Sequence, residues 1–304
     1  MIQVAISDDD ITVGKAGKLL ELHRFHEQFG IPVSYFIIPF PRTEELSISQ
    51  DTDLQRALDT IRADGSEAHP HSHRHHPFEW GYPEIIGAME FSEGLCKAFA
   101  DHRFSIEFYH DKDRMLQRMV EVVEEWKKFS GEESVGFRPG WGSFSCTFYE
   151  VLKECGYKWS STRFASRASW HRSKGYPSED VINPHVGLNP YLQNGLIEFP
   201  ILGDFGFHAK RSDGPELVAL FKKQFWECLE ANAPAVICHH PHGLDSDDVD
   251  PGSGYEIYSE IFEWLIARGD VEFVTMSKLY DTWKDKDLSE RLPAFDGTDL
   301  FIDY

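Results

Sequence analysis

The chain has 304 residues, of which 41% are hydrophobic and 14% aromatic, enough for one sizeable globular core. Its formal net charge of −21 repels phosphate backbones, so nucleic acid is not expected as a partner. No segment approaches the roughly 18 consecutive apolar residues of a membrane span, and the N-terminal MIQVAISDDD lacks the pattern of a secretory signal.

The cysteines are odd in number and none has CxxC spacing, which favours reduced thiols over a disulfide framework. We therefore expect a cytoplasmic protein. The residues are Cys96, Cys146, Cys155, Cys228 and Cys238.

Short apolar runs alternate with longer segments of helical periodicity along the whole chain. Strands are predicted over residues 2–7, 31–39, 66–71, 134–140, 196–202, 234–240 and 271–277. Helices are predicted over residues 15–30, 53–65, 114–131, 148–156, 215–233 and 255–269, several of them ending at glycine.

This alternation predicts βα units and a parallel sheet, and six or seven such units favour a closed or nearly closed barrel. We expect one domain over residues 1–304, with irregular insertions near 77–115 and 160–215. In such barrels the chemistry lies where strands end. Polar clusters fall at four of these ends: Asp8–Asp10, His71–His75, Arg138 and His239–His240.

The first of these clusters, SDDD at residues 7–10, places three carboxylates at a strand end. Ser and Asp are common in turns and helix caps, which is the structural alternative. Adjacent carboxylates repel one another unless a cation or other partner relieves them. The triplet therefore indicates a metal, weakly when taken alone.

Five histidines lie between His69 and His76 in the sequence HPHSHRHH. His71 and His75 are four residues apart, a spacing that on a helical turn lets both imidazoles reach one ion. With one aspartate they would leave coordination positions open for water and substrate, as catalytic sites do. The alternative is a solvated histidine tract, and one ion cannot use all five imidazoles.

Two further segments offer catalytic groups. GFRPGWGSF carries Arg138, which could orient a carboxylate, and a glycine-containing turn that could bind an oxyanion, unless it is a plain turn. AVICHHPHG ends a strand with His239 and His240, either of which could be a general acid, and His242 is a third choice. No GxSxG, GxGxxG or P-loop is present, so serine hydrolases and nucleotide cofactors are not indicated.

The order of these motifs resembles the polysaccharide deacetylase family (NodB homology, carbohydrate esterase family 4). ISDDD stands where the family has TFDDG, and GSEAHPHSHRH where it has GHEIGNHSxxH, with His71 and His75 at the two histidine positions. RPGWG corresponds to RPPYG, and VICHHP to the final strand that ends in histidine. The resemblance spans nearly the whole chain.

The resemblance implies a distorted (β/α)7 barrel and metal-assisted hydrolysis of an N-acetyl group. It implies one aspartate as general base, a second aspartate with His71 and His75 on one divalent metal, and a late histidine as acid. We take His240 as that acid, and His239 stays an alternative. Zinc is expected, although cobalt, nickel or iron suits these ligands. Three assignments of base and ligand stay open: Asp8 with Asp9, Asp8 with Asp10, or Asp9 with Asp10. Strand alternation favours Asp8 as base and Asp10 as ligand.

The sequence departs from the family at the fourth motif, which pairs an aspartate with a tryptophan. YKWSSTRFASRASWH offers Trp159 but no aspartate to orient Arg138. Because no secretory signal is visible, an acetamido sugar, a nucleotide sugar or a glycan precursor is expected as substrate rather than cell wall. Two alternatives stay open: a hydrolase of cyclic amides or formamides on the same barrel, and a non-catalytic relative that binds a glycan.

Overall fold

A computed structural model describes residues 1–42, 46–83, 111–166, 168–169, 182–245 and 250–291. Within them the strands are β1 (Ile2–Ile11), β2 (Val33–Ile37), β3 (Glu67–Pro70), β4 (Tyr82–Pro83), β5 (Gly136–Phe137), β6 (Ser143–Phe144), β7 (Trp159–Ser160), β8 (Tyr191–Gln193), β9 (Leu196–Glu198), β10 (Ile201–Gly203), β11 (Ala235–His239), β12 (Val271–Val274) and β13 (Glu290–Arg291).

The helices of the described residues are α1 (Ala16–Glu27), α2 (Thr52–Ala63), α3 (Lys112–Ser130), α4 (Cys146–Glu154), α5 (Gly214–Glu230), α6 (Pro241–Asp245), α7 (Ser253–Arg268) and α8 (Met276–Trp283). Every predicted helix is confirmed to within a few residues. In this part of the chain no helix combines the length and hydropathy that a membrane span requires. Most of the expected insertion near 77–115, and part of the one near 160–215, lies outside the described residues.

The predicted parallel sheet is confirmed. One sheet has the strand order β10-β11-β1-β2-β3, with β12 pairing the start of β1, and every pair in it is parallel. A second sheet has the order β13-β8-β9-β7-β5, with β8 and β9 antiparallel. Since parallel strands need crossover connections, the helices between them follow from this pairing.

Isolated bridges join the two sheets. His71, just after β3, bridges Arg138, just after β5, and Phe164 bridges Ile201 of β10. These contacts place the strand ends that carry the polar motifs beside one another. The sheets are linked by single bridges rather than by a continuous ladder, so closure of the (β/α)7 barrel stays a prediction.

The two faces of β1 contact different layers. Val4 and Ile6 pack in the large core beneath helices such as α1 and α7, which contribute Leu22 and Phe262. Ala5 lies instead in a separate cluster with Phe36 and Trp159, between the strands. Full burial of each such aliphatic side chain contributes about 1.5–3 kcal/mol. Even-numbered residues of β1 therefore face the helices and odd-numbered ones the inside of the sheet.

The alternation ends at a bulge before the end of β1. Asp8 pairs with Tyr35 of β2, but the next pair is Ile11 with Ile37, so two residues of β1 stand opposite one of β2. Asp10 has a φ of 65°, in the left-handed region. Asparagine and aspartate tolerate this region better than other non-glycine residues, and bulges of this kind redirect side chains.

Candidate metal centre

The bulge gives the three consecutive aspartates three different environments. The Asp8 side chain points toward the helices, as those of Val4 and Ile6 do, and is hydrogen-bonded to His26 of α1. Asp9 points inward to Arg138. Asp10, which alternation would turn outward, is redirected inward to His71 and His75.

Asp10, His71 and His75 form a converging set of side chains that could hold a metal ion. Oδ1 of Asp10 lies 2.9 Å from Nε2 of His75 and 3.3 Å from Nε2 of His71. Two atoms bound to one zinc at about 2.1 Å are roughly 3.4 Å apart in a tetrahedral site. Oδ1 of Asp10 and Nε2 of His71 are buried and have no hydrogen-bond partner among the described residues. The donor set and its unpaired atoms therefore fit a divalent metal.

The loop after β3 brings the two histidines together, but not as the helical turn that their spacing suggests. Ser72 and His75 both have positive φ, 61° and 57°, in the left-handed region, so the loop is not a regular right-handed helical turn. The Ser72 hydroxyl accepts hydrogen bonds from the Gly140 amide at 2.7 Å and the Trp80 indole at 3.0 Å. One hydroxyl thus fixes the histidine loop to the turn that follows Arg138.

Gly140 is required by close packing against His75. A Cβ atom at this position would lie 2.4 Å from Cδ2 of the His75 ring, a distance that real contacts do not reach. The neighbouring Trp141 has a φ of 61° and its ring lies 6.2 Å from that of His75. Gly140, the first glycine of RPGWG, therefore makes room for the His75 ring.

A backbone contact sets the orientation of the His71 ring. Nδ1 of His71 lies 2.9 Å from the carbonyl oxygen of Arg138, which can only accept, so Nδ1 carries the proton. Nε2 then presents its lone pair toward Asp10. Carbonyl contacts of this type are common behind histidine ligands, because they fix the tautomer and raise ligand basicity.

Arg138 holds Asp9 from a buried position. Its Nη1 donates to Oδ1 of Asp9 at 2.8 Å and to the Ser7 hydroxyl at 2.6 Å. Its Nε and Nη2 donate to the carbonyl and hydroxyl oxygens of Ser161 at 3.1 and 2.8 Å. The thiol of Cys238 contacts the other oxygen of Asp9 at 3.4 Å. Asp9 is therefore fixed beside the Asp10–His71–His75 cluster, and Oδ2 of Asp9 lies 4.0 Å from Nε2 of His71.

His240 forms a dyad with Asp204 next to this site. Nδ1 of His240 lies 2.8 Å from Oδ2 of Asp204, whose other oxygen accepts from the Tyr258 hydroxyl at 2.8 Å. Burial alone would lower the pKa of His240. The hydrogen bond to Asp204 and the negative charges of Asp10, Asp204 and Asp9 outweigh it and raise the pKa to about 9. His240 is therefore protonated at neutral pH, with a proton available on the ring.

The structure does not bring Asp8 or His239 into this cluster. Both are completely buried and pair with each other and with His26 on the helix side of β1. His242 lies at the rim, with Nδ1 3.8 Å from Oδ2 of Asp10. Burial and the nearby His240 lower its pKa to about 4.

The remaining histidines of the cluster have structural partners. His73 contacts Glu121 of α3 at 2.9 Å through Nε2, and its amide donates to Glu79 at 2.9 Å. His69 contacts Glu67 at 2.9 Å and packs against Trp159, with ring centroids 4.9 Å apart. These contacts anchor the loop from inside and outside the sheet.

Two site residues escape sequence reasoning. Asp204 follows β10, and the rule that polar residues at strand ends carry chemistry could have found it in GDFGFH. Ser161 follows β7 and binds Arg138 partly through its backbone, for which the sequence carries no signal.

No family model and no curated protein matches the chain. Solved structures do match. A protein assigned as a polysaccharide deacetylase from Mycobacterium smegmatis has a TM-score of 0.60 at 15% identity, over 95% of this chain and 92% of that one. A CE4 family pseudoenzyme from Bacillus anthracis has a TM-score of 0.50 at 11% identity, over 95% of this chain and 66% of that one.

A mutant of that pseudoenzyme with restored enzymatic activity also has a TM-score of 0.50 at 11% identity, over 96% of this chain and 69% of that one. The chain thus has an α/β fold of helices and parallel sheets that matches the CE4 deacetylases. At these identities the likeness concerns the fold alone.

Proposed function

We propose that the protein is a metal-dependent hydrolase that removes an N-acetyl group from a sugar or glycan precursor. The observation that carries this proposal is the convergence of Asp10, His71 and His75 beside an aspartate, Asp9, that is clamped by a buried arginine. The similar structures include deacetylases, which supports the same reaction class.

Asp10, His71 and His75 would hold one divalent metal, for which we propose zinc, with cobalt, nickel and iron also suited to the ligands. When bound, such an ion polarises a carbonyl group and lowers the pKa of water. His71 contributes Nε2 because its Nδ1 donates to Arg138. The three ligands leave coordination positions free, as a hydrolytic site requires.

We assign the general base to Asp9 rather than Asp8. Asp9 lies on the same side of β1 as the metal ligands and is held by Arg138, whereas Asp8 faces the helices. A carboxylate in the position of Asp9 can take a proton from the attacking water as the C–O bond forms. Nδ1 of His240 is hydrogen-bonded to Asp204. Nε2 of His240 would therefore give a proton to the amine nitrogen as the C–N bond breaks. Acetate and the free amine are the products.

The turn after Arg138 offers the oxyanion donor. The Gly140 amide is occupied by the Ser72 hydroxyl. We therefore assign the donor to the amide of Trp141, the next residue of the turn, whose φ of 61° gives the backbone an unusual direction. A preorganised amide of this kind stabilises negative charge as it develops on the carbonyl oxygen.

The missing fourth-motif aspartate favours a non-catalytic glycan-binding protein, and some proteins of this fold are pseudoenzymes. The contacts of Arg138 argue against it here. Ser161 takes two donors of the guanidinium, and Ser7 and Asp9 share a third. Arg138 is thus held without the aspartate, which supports a catalytic role.

The substrate proposal rests on the sequence: an acetamido sugar, a nucleotide sugar or a glycan precursor. A cytoplasmic location also stays a prediction. Within the described residues the cysteines are free thiols, namely Cys146, Cys155, Cys228 and Cys238.

Metal analysis and acetate release test the proposal. We expect acetate from one or more N-acetyl sugars when the protein is loaded with zinc. Asp10→Asn should lose the metal and the activity together. Asp9→Asn should keep the metal and lose activity by roughly 10²–10⁴-fold, the usual contribution of a general base.

The panel should include cyclic amides and formamides. Turnover of these without turnover of N-acetyl sugars would replace the proposal by the other hydrolase. Metal and glycan binding without any turnover, unchanged in Asp9→Asn, would replace it by a binding protein.

A further inference from the structure

A second cluster of possible metal ligands lies on the opposite side of β1. Asp8 of β1 stands in register with His239 of β11 and with Tyr35 of β2, so the three form a row across the sheet. His26 of α1 lies over this row, its ring stacked on that of His239 at 5.3 Å with 20° between the planes. Asp8, His26 and His239 are each 0% exposed.

The donor atoms of this cluster repeat the geometry of the Asp10 centre. Asp8 lies 2.8 Å from Nε2 of His26 and 3.3 Å from Nδ1 of His239. At the Asp10 centre the corresponding carboxylate–imidazole distances are 2.9 and 3.3 Å. All three donors lie within 4.8 Å of one another, close to the spacing that one ion requires. The ligand set, two imidazoles and one carboxylate, is also the same.

Several of these buried atoms have no hydrogen-bond partner among the described residues. They are Oδ1 of Asp8, both ring nitrogens of His239, Nδ1 of His26 and the hydroxyl of Tyr35. A buried polar group that is left unpaired is unfavourable, because it has lost water without gaining a partner. His239 is completely buried, its Nε2 has no partner among the described residues and its Nδ1 has only the 3.3 Å contact with Asp8, so this imidazole needs a ligand.

The charge of the cluster points the same way. Oδ2 of Asp8 faces Nε2 of His26, and Oδ1 of Asp8 faces Nδ1 of His239. These polar groups lie in a sealed layer that includes the apolar ring of Phe262. A carboxylate buried in such a layer is stable only when it is paired, and a cation held between the three donors would pair it.

We propose that Asp8, His26 and His239 bind a second divalent cation of the zinc class, separate from the Asp10 centre. The cluster is closed to solvent, so the ion would be structural: it would join β1, α1 and β11 behind the strand end that carries Asp9 and Asp10. The proposal does not depend on the hydrolase activity, because none of these three side chains faces the Asp10 centre.

Metal counting in two complementary variants tests the proposal. Wild-type protein, loaded with Zn²⁺ and freed of loosely bound metal, should hold two equivalents by elemental analysis. His71→Ala/His75→Ala should keep one equivalent, and so should Asp8→Asn. His23→Gln is the matched control, since His23 is another buried histidine of α1 but pairs with Asp64. It should keep two.

A metal-free double variant, or two equivalents retained by Asp8→Asn, would overturn the proposal. A third outcome is a single equivalent of metal that is kept in His71→Ala/His75→Ala and lost in Asp8→Asn. It would support the second site and would show that the Asp10 centre holds no metal. The two proposals can therefore fail separately.

Anomalous diffraction from zinc-loaded crystals of wild-type protein makes the test independent of any variant's folding. The expected result is a peak bonded to Asp8, His26 and His239. Full occupancy at the Asp10 centre with no peak between these residues would overturn the proposal.

Discussion

Ser161 binds the guanidinium of Arg138 twice, with its carbonyl oxygen 3.1 Å from Nε and its hydroxyl 2.8 Å from Nη2. The resemblance to the deacetylases leads one to expect an aspartate to orient this arginine. Here a serine next to a short strand does so with one backbone and one side-chain oxygen. Since the arginine is fully charged, each of these bonds is of the stronger, charge-assisted kind.

Ser161→Ala tests this replacement. It removes one of the two bonds, and hydrogen bonds to charged groups contribute about 1.5–3 kcal/mol. We expect kcat to fall roughly 10- to 100-fold with metal content unchanged. Ser160→Ala is the matched control, since the Ser160 hydroxyl donates to Glu198 and not to Arg138. Equal losses in both variants would show that the effect is one of packing.

Gly140→Ala should disturb the metal centre through His75. The added methyl group would enter the space of the imidazole, so the ring must turn away from Asp10. We expect metal affinity to fall by about 10- to 100-fold, as when support of a ligand is lost. Competition with a chelator measures it. Gly17→Ala, whose Cβ would meet nothing within 4 Å, should leave affinity unchanged. An unchanged affinity in Gly140→Ala would contradict the role given to this glycine.

Asp204→Asn should move the alkaline limb of the activity profile. The hydrogen bond and charge of Asp204 help to raise the pKa of His240 to about 9, against burial. In the proposed mechanism His240 acts when protonated, so activity is present below this pKa and lost above it. Without the carboxylate the pKa falls, and the limb of kcat/KM moves to lower pH.

Tyr258→Phe is the comparison for this variant, because it removes only the hydroxyl that donates to Asp204. The alkaline limb of kcat/KM should move less in Tyr258→Phe than in Asp204→Asn. If this limb stayed in place in Asp204→Asn, His240 would not be the proton donor.

Glu67 should control part of the acid stability. Burial would raise its pKa, but His69 and donors such as the Ser277 amide lower it to about 2. The carboxylate therefore stabilises the fold above its unfolded pKa near 4.5, by about 3 kcal/mol at 1.36 kcal/mol per pKa unit. This contribution disappears as pH falls from 4.5 toward 2.

In Glu67→Gln the free energy of unfolding should be smaller at pH 6 and should converge on that of wild type near pH 2. Urea unfolding at several pH values measures the difference. Glu133→Gln, on the surface, should leave the free energy of unfolding close to that of wild type at each pH. A constant gap between Glu67→Gln and wild type at all pH values would show that the carboxylate charge is not the cause.

Hydrophobic periodicity and the glycines that end helices were enough to predict the helices and the parallel sheet, because these elements depend on local residue patterns. The strand-end rule also singled out the segments that carry Asp10, His71, Arg138 and His240, and the fold brings these segments together. They lie close to one another because the carboxyl ends of parallel strands meet, whatever the detailed angles. The roles given to these residues stay proposals.

The choice among the three aspartates could not be made this way. Alternation along β1 pairs Asp8 with Asp10, but the bulge places a left-handed residue at Asp10 and sends it to the side of Asp9. A bulge depends on how two strands pair, so the sequence of β1 alone does not predict where the bulge lies. The bond from Ser161 to Arg138 is hidden for the same reason, since it uses a backbone carbonyl.

The run Asp8–Asp9–Asp10 has a consequence for alignment. Three identical letters allow a comparison of sequences to slip by one position at no penalty. In the folded chain that slip exchanges a carboxylate sealed beneath helices for one beside Arg138. Roles in this run can therefore be transferred between homologues only by superposing backbones around the bulge.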